Sequence, residues 1–172
     1  MITLVTPSLP GRAAMLREML VSVEAQSLAP DRHLIDISVG PLVPKLQGML
    51  DQVADGWVVQ VDDDDLLYPN HVEVLAANLR ADVVWTWCDV VGRNWNPNAE
   101  YQTGVLQVRN YIPSNCAIRA EVLREVGGHV PVGLPDHPDW HLLRRLEQAG
   151  ASFLCVPEVT WQYRFHGGNS SL

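Results

Sequence analysis

The chemistry in this chain is concentrated in the stretch Trp57-Val-Val-Gln-Val-Asp62-Asp63-Asp64-Asp65-Leu-Leu-Tyr68-Pro69. A β-branched apolar run leads directly into four consecutive carboxylates, and a proline follows. Like charges a few ångströms apart disfavour one another's ionisation, so the cluster is costly on its own. A divalent cation converts that repulsion into attraction, and hard oxygen donors are what Mg²⁺ and Mn²⁺ prefer. The plainer alternative is an acidic surface turn that binds nothing. The position argues for the metal site, because ligands of open α/β sheets gather where the strands end at their carboxyl side.

The elements needed to hold such a cluster can be read along the chain. Ile2–Thr6 is a short β-rich run stopped by Pro7-Ser8-Leu9-Pro10-Gly11. Met15, Leu16, Met19, Leu20 and Val23 then repeat with helical spacing between Arg12 and Gln26. His33–Val39 alternates as a strand, Val43–Ala54 carries a helical stripe, and Gly56 separates it from the run feeding the aspartates. Pro69 suits the first turn of a helix, followed by a strand over Asp82–Cys88. The order βαβαβαβ predicts an α/β fold, a mostly parallel central sheet between helical layers. Beyond it, Asp89–Tyr111 reads as loop with one hairpin. Asn115–Ile118 reads as a strand, Ala120–Val126 and Asp139–Ala149 as helices, and Ser152–Val156 and Val159–Tyr163 as two short strands.

The bulk properties set outer limits. A chain of 172 residues, 47% hydrophobic and 19% charged, is one globular domain with a real core. The net charge of −8 and a single lysine, Lys45, disfavour a non-specific grip on nucleic-acid phosphates. Cys88, Cys116 and Cys155 lie in apolar segments without metal-ligand spacing and read as buried thiols. No run has the length of a membrane span, and the N-terminus lacks a basic flank before an apolar core. The expectation is a soluble, cytoplasmic protein without a membrane anchor.

Motifs spread along most of the chain resemble a family-2 glycosyltransferase of the GT-A fold. Thr6-Pro7-Ser8 with Arg12 and Leu16 resembles the first strand and nucleotide loop, and Ser22 with Gln26 the end of the following helix. Asp62–Asp65 with Pro69 resembles D-x-D-D-x-x-x-P, which contains the DxD motif. Arg119, Leu123 and Val126-Gly127-Gly128 resemble an R…GGF segment with His129 in place of the aromatic. Asp139-Trp140 through Arg145-Leu146 resembles ED-W-D-L-W-L-R-L with Pro138 at the first acid, and Tyr163-Arg164-Phe165-His166 resembles YR-x-H.

The resemblance implies a single GT-A domain, Rossmann-like and three-layered, over residues 1–172. Residues 1–88 would bind nucleotide and 89–172 the acceptor. It implies metal-dependent, inverting transfer from a nucleotide diphosphate sugar, with Mn²⁺ or Mg²⁺ and a UDP-sugar favoured. The acceptor would be a glycan, a protein or a modified base. Asp64 is implied as metal ligand, Asp62 as a ligand or ribose contact, and Asp63 and Asp65 as support for either. His166 is either a further ligand or structural. Asp139 is implied as the base, or else is only a helix N-terminal carboxylate. Thr6, Pro7, Ser8 and Arg12 would line the nucleoside. Where relatives carry Asp-Asp-Gly-Ser this chain has Ser38-Val39-Gly40-Pro41, so either Asp36 or a backbone group serves there, or the base differs. Lys45 is either a base or phosphate contact or a solvated surface lysine. Trp95 and Trp140 are acceptor-site candidates, flanked in the second case by His137 and His141. A catalytically inactive relative that still binds a sugar nucleotide is the alternative function.

Overall fold

The computed structural model describes residues 1–131 and 137–166. Seven strands form one sheet: β1 (Ile2–Pro7), β2 (Arg32–Asp36), β3 (Trp57–Gln60), β4 (Leu66–Leu67), β5 (Val83–Val91), β6 (Cys116–Arg119) and β7 (Phe153–Arg164). Five helices accompany them: α1 (Ala13–Glu24), α2 (Leu42–Leu50), α3 (His71–Ala77), α4 (Ala120–Glu125) and α5 (Pro138–Gln148). The spatial order is β2-β1-β3-β6-β5-β7-β4. β1 is parallel to β2 and β3, and β5 is parallel to β7. β6 runs antiparallel between β3 and β5, and β4 runs antiparallel to β7 at the edge.

Strand alternation sorts the core into two slabs. Val5, Val58, Trp85, Cys116 and Ile118 face α2, α4 and α5 through Leu46, Met49, Leu123, Leu142 and Leu146. Their neighbours Leu4, Val59, Val84 and Ala117 face α1 and α3 through Met19, Val23, Val72 and Leu75. The architecture is thus three-layered, α/β/α, with the mostly parallel sheet in the middle. Both faces of the strands are covered, which is why they read as continuous apolar runs.

Three sequence expectations change. The segments Ser152–Val156 and Val159–Tyr163 merge into β7, whose register against β5 jumps from Val156↔Thr86 to Val159↔Trp87. Pro157-Glu158 therefore forms a bulge rather than a break, as proline at a bulge loses no ladder bond. The segment after Asp89 first prolongs β5 to Val91 and then carries a single 3₁₀ turn, Val105–Gln107, with no hairpin among the described residues. The two-residue β4 was not expected, because its pairing partner lies almost a hundred residues away, roughly, along the chain.

Candidate active site

β3 delivers the carboxylates. Val61 still donates its N–H to the Val5 carbonyl at 3.0 Å, and the chain then turns, with Asp65 N–H returning to the Asp62 carbonyl at 3.2 Å. β4 follows at once and pairs with Gln162 and Trp161 of β7. The four aspartates thus form a tight turn pinned at both ends. Gln26 clamps the exit. Its amide donates to the Ser22 and Tyr68 carbonyls at 3.0 and 2.8 Å, and its oxygen accepts Val72 N–H at 3.0 Å.

The turn gives the four carboxylates different directions. Asp63 faces the loop after β1, accepting Ser8 Oγ at 2.7 Å, Leu9 N at 3.2 Å and Arg12 Nη1 at 2.9 Å. Asp62, Asp64 and Asp65 converge instead, each offering an oxygen within 4.8 Å of the others. Asp64 Oδ2 also meets Arg12 Nη1 and His166 Nε2, each at 3.0 Å. Asp62 accepts Gln60 Nε2 at 2.8 Å and Ser114 Oγ at 3.2 Å. Asp65, 2% exposed, receives Arg164 N–H at 3.3 Å.

Burial pushes the Asp62 carboxyl up to about 6, against the lowering effect of Gln60, and the charges of Asp64 and Asp139 push it further. Burial likewise raises Asp65 well above the usual carboxylate range, with Asp62 and Asp64 adding to it. A site in which burial and neighbouring charge oppose the ionisation of Asp62 and Asp65 fits a hard divalent cation, which would relieve both penalties. Asp62, Asp64 and Asp65 could hold it, with His166 in reach of Asp64. His166 is delivered by the end of β7, where Phe165 N–H bonds the Val91 carbonyl at 2.8 Å. Gly92, at φ 90°, allows that approach, since a Cβ there would collide with the Phe165 carbonyl.

The cluster forms part of the wall of a cavity of about 760 Å³. Pro7, Ser8, Arg12 and Lys45 line it on the side of β1 and α2, and Trp95, Arg109, Asn110, His137 and Asp139 on the side of the 92–115 loop and α5. Asp139 sits in the first turn of α5, where the helix dipole favours a carboxylate, and its Oδ2 is 3.4 Å from Asn110 Nδ2.

Several residues singled out in the sequence are placed otherwise than expected. Thr6 is fully buried, and its hydroxyl pairs with His33 Nε2 at 2.8 Å outside the cavity wall. Asp36 is also absent from that wall. Its carboxylate accepts Ser38 N–H at 2.8 Å, and the Ser38 side chain, with that N–H, lowers its pKa. Lys45 is not a solvated lysine. It is 4% exposed and donates to the Ser8 carbonyl at 2.7 Å, inside the cavity wall. Trp140 does not line the cavity, because its indole N–H anchors to the Leu106 carbonyl at 2.7 Å. His141 is likewise outside it, whereas Trp95 is in the wall and half exposed. Gln60 and Ser114 were missed. Gln60 had a signal, since two residues along a strand share a face with Asp62. Ser114 had none, being brought in from far along the chain by β6.

No family model matches the chain, and no curated protein matches it in sequence. Solved structures do. S. aureus TarS, residues 1–349 in complex with UDP-GlcNAc, aligns with TM-score 0.77 and 14% identity over 99% of this chain and 60% of that one. The mannosyltransferase PcManGT from Pyrobaculum calidifontis, in complex with GDP-Man and Mn²⁺, aligns with TM-score 0.66 and 16% identity over 98% of this chain and 58% of that one. The chain thus spans about three-fifths of the length of these proteins. Among the described residues, no helix is long and apolar enough to cross a membrane. At such identities the likeness speaks for the backbone alone, and the fold of this chain is that of the GT-A glycosyltransferases.

Proposed function

We propose that this domain is a metal-dependent, inverting glycosyltransferase that moves a sugar from a nucleotide diphosphate to an acceptor hydroxyl. The observation that carries the reading is the convergence of Asp62, Asp64 and Asp65, with Asp62 and Asp64 in the wall of a cavity that Asp139 also lines. The complexes of the two similar structures with UDP-GlcNAc and with GDP-Man and Mn²⁺ support a sugar-nucleotide donor and a divalent cation. A UDP-sugar with Mn²⁺ or Mg²⁺ is the donor we favour.

The residues divide the work by position. Pro7 and Ser8 border the nucleoside side, on the loop that Asp63 and Lys45 hold rigid. Thus Asp63 and Lys45 act first by shaping that loop. Asp62, Asp64 and Asp65, with His166, would hold the cation, which when bound neutralises charge building on the departing diphosphate. Arg12 adds a second positive charge beside Asp64. Asp139 takes the proton from the acceptor hydroxyl as it attacks the anomeric carbon. With Asp139 as the base, the hydroxyl would attack the face turned away from the nucleotide and invert the configuration. In this reading residues 1–88, joined by His166, serve the donor, and the rest of 89–172 serves the acceptor.

A thermal-shift screen of nucleoside diphosphates and sugar nucleotides, with and without Mn²⁺, tests this. A ligand at a hundred times its Kd stabilises by about 2.7 kcal/mol, and the preferred base is read from the largest shift. Stabilisation only when Mn²⁺ and nucleotide are both present is expected. No Mn²⁺-dependent shift with any donor contradicts the proposal. A shift without sugar transfer to any acceptor identifies the inactive relative.

A further inference from the structure

We infer that the acceptor carries an anionic group, a phosphate or a carboxylate, which docks on Arg109 in the cavity that the exposed indole of Trp95 also lines. This rests on reading the cavity as a transferase site and names the chemistry of its second substrate.

Two arginines line the cavity, Arg12 and Arg109. Arg12 contacts Asp63 and Asp64. Arg109 is placed differently. It lines the cavity, and its guanidinium carbon stands 6.0 Å from the Tyr111 ring centroid, with no acid within ion-pair distance among the described residues. An exposed arginine elsewhere on the surface would need no partner. This one adjoins Asn110, whose amide reaches the Asp139 carboxylate at 3.4 Å. An anion held by Arg109 is therefore one residue's reach from the group that would deprotonate the attacking hydroxyl.

Trp95 supplies an aromatic face in the same cavity. Half exposed in the wall, it meets Tyr163 edge-on at 6.1 Å, and the Arg93 guanidinium lies 6.0 Å from its ring and 5.0 Å from that of Phe165. Arg93 thus backs the indole. An aromatic face for a sugar ring in one cavity with a planar donor fork for a phosphate or carboxylate suits an anionic sugar unit. A long polyanion is a poorer fit, because the remaining surface is predominantly acidic.

The test uses the full chain saturated with Mg²⁺ and UDP, so that the diphosphate site is already filled. Glucose 6-phosphate, glucuronate and glucose are titrated while tryptophan indole N–H signals are followed by NMR. At least one of the anionic sugars is expected to bind roughly tenfold or more tightly than glucose, as one charge-assisted pair provides. Which of the two does so distinguishes phosphate from carboxylate. Arg109→Gln should erase the preference and leave Mg²⁺–UDP affinity within about twofold, with Arg109→Lys restoring part of it. Equal binding of glucose and both anions, or none by any of them, overturns the inference while leaving the donor site intact. So does a loss of UDP affinity in Arg109→Gln with the anion preference unchanged. If UDP does not bind the wild-type chain, the nucleoside diphosphate preferred in the thermal-shift screen takes its place; if none binds with a divalent cation, the transferase reading itself fails and this inference with it.

Discussion

The two walls of the cavity are built in opposite ways. On the carboxylate side every group is fixed by strand pairing and short bonds. Asp63 has three donors, Asp62 has two, and Lys45, with 4% exposure, is held by a backbone carbonyl. On the side we propose for the acceptor, the segment after β5 has one 3₁₀ turn for regular structure and leaves Trp95 half exposed and Val108 79% exposed. Rigid placement suits a metal and a diphosphate, whose geometry scarcely varies. A loop suits an acceptor, which must enter, be chosen and leave.

The sharpest way to break this contrast is to alter one group on each wall. Asp139→Asn should reduce transfer by roughly 10²–10⁴-fold, the usual worth of a general base, and leave nucleotide affinity unchanged, as read by steady-state kinetics and titration calorimetry. Equal losses in both would place Asp139 in the donor site instead.

The next effect tests how firmly the carboxylate wall is held. In Gln26→Ala the Val72 N–H loses its partner, and the Tyr68 carbonyl keeps only the His71 N–H. A loss of about 1–3 kcal/mol is expected in urea unfolding, with reduced Mn²⁺ affinity, because the exit of the aspartate turn is no longer clamped. A loss of stability without a change in metal affinity would show the turn to be independent of its clamp.

A gentler probe is pH. Burial holds Asp62 at about 6, so its proton competes with a cation as pH falls through that value. Mn²⁺ affinity should weaken by up to about tenfold per pH unit below 6. The metal-free protein should behave in the reverse sense. A carboxyl whose pKa rises on folding favours the folded state at low pH and opposes it as pH climbs from about 4 towards 6. Asp62→Asn should flatten both profiles.

The same contrast explains what the sequence could and could not reveal. The three-layer fold was legible because strands covered on both faces read as apolar runs, and because α1 and α3 carry clear inward stripes. The aspartate turn was legible because its neighbours in space are its neighbours in the chain. The ranking of its carboxylates was not. Asp63 is distinguished from Asp65 only by Ser8 and Arg12 on one side and Arg164 on the other, all distant in sequence. Lys45 looked like a surface residue because charge seldom goes inside, and only the packing of α2 against the loop after β1 buries it. Thr6 looked like a ligand contact because it precedes the loop, but strand alternation turns its hydroxyl to His33. On the acceptor wall, with no periodicity to read, Trp95 and Trp140 could not be told apart.

The most direct measurement is Mn²⁺ uptake by the full chain in the presence of UDP, followed by the loss of the free-ion EPR signal, in wild type and in Asp64→Ala. One ion per chain should bind the wild type, with affinity lower by roughly tenfold or more in Asp64→Ala and unchanged in Asp139→Asn. Equal uptake by wild type and Asp64→Ala would contradict the assignment of the aspartate turn as the metal and diphosphate site.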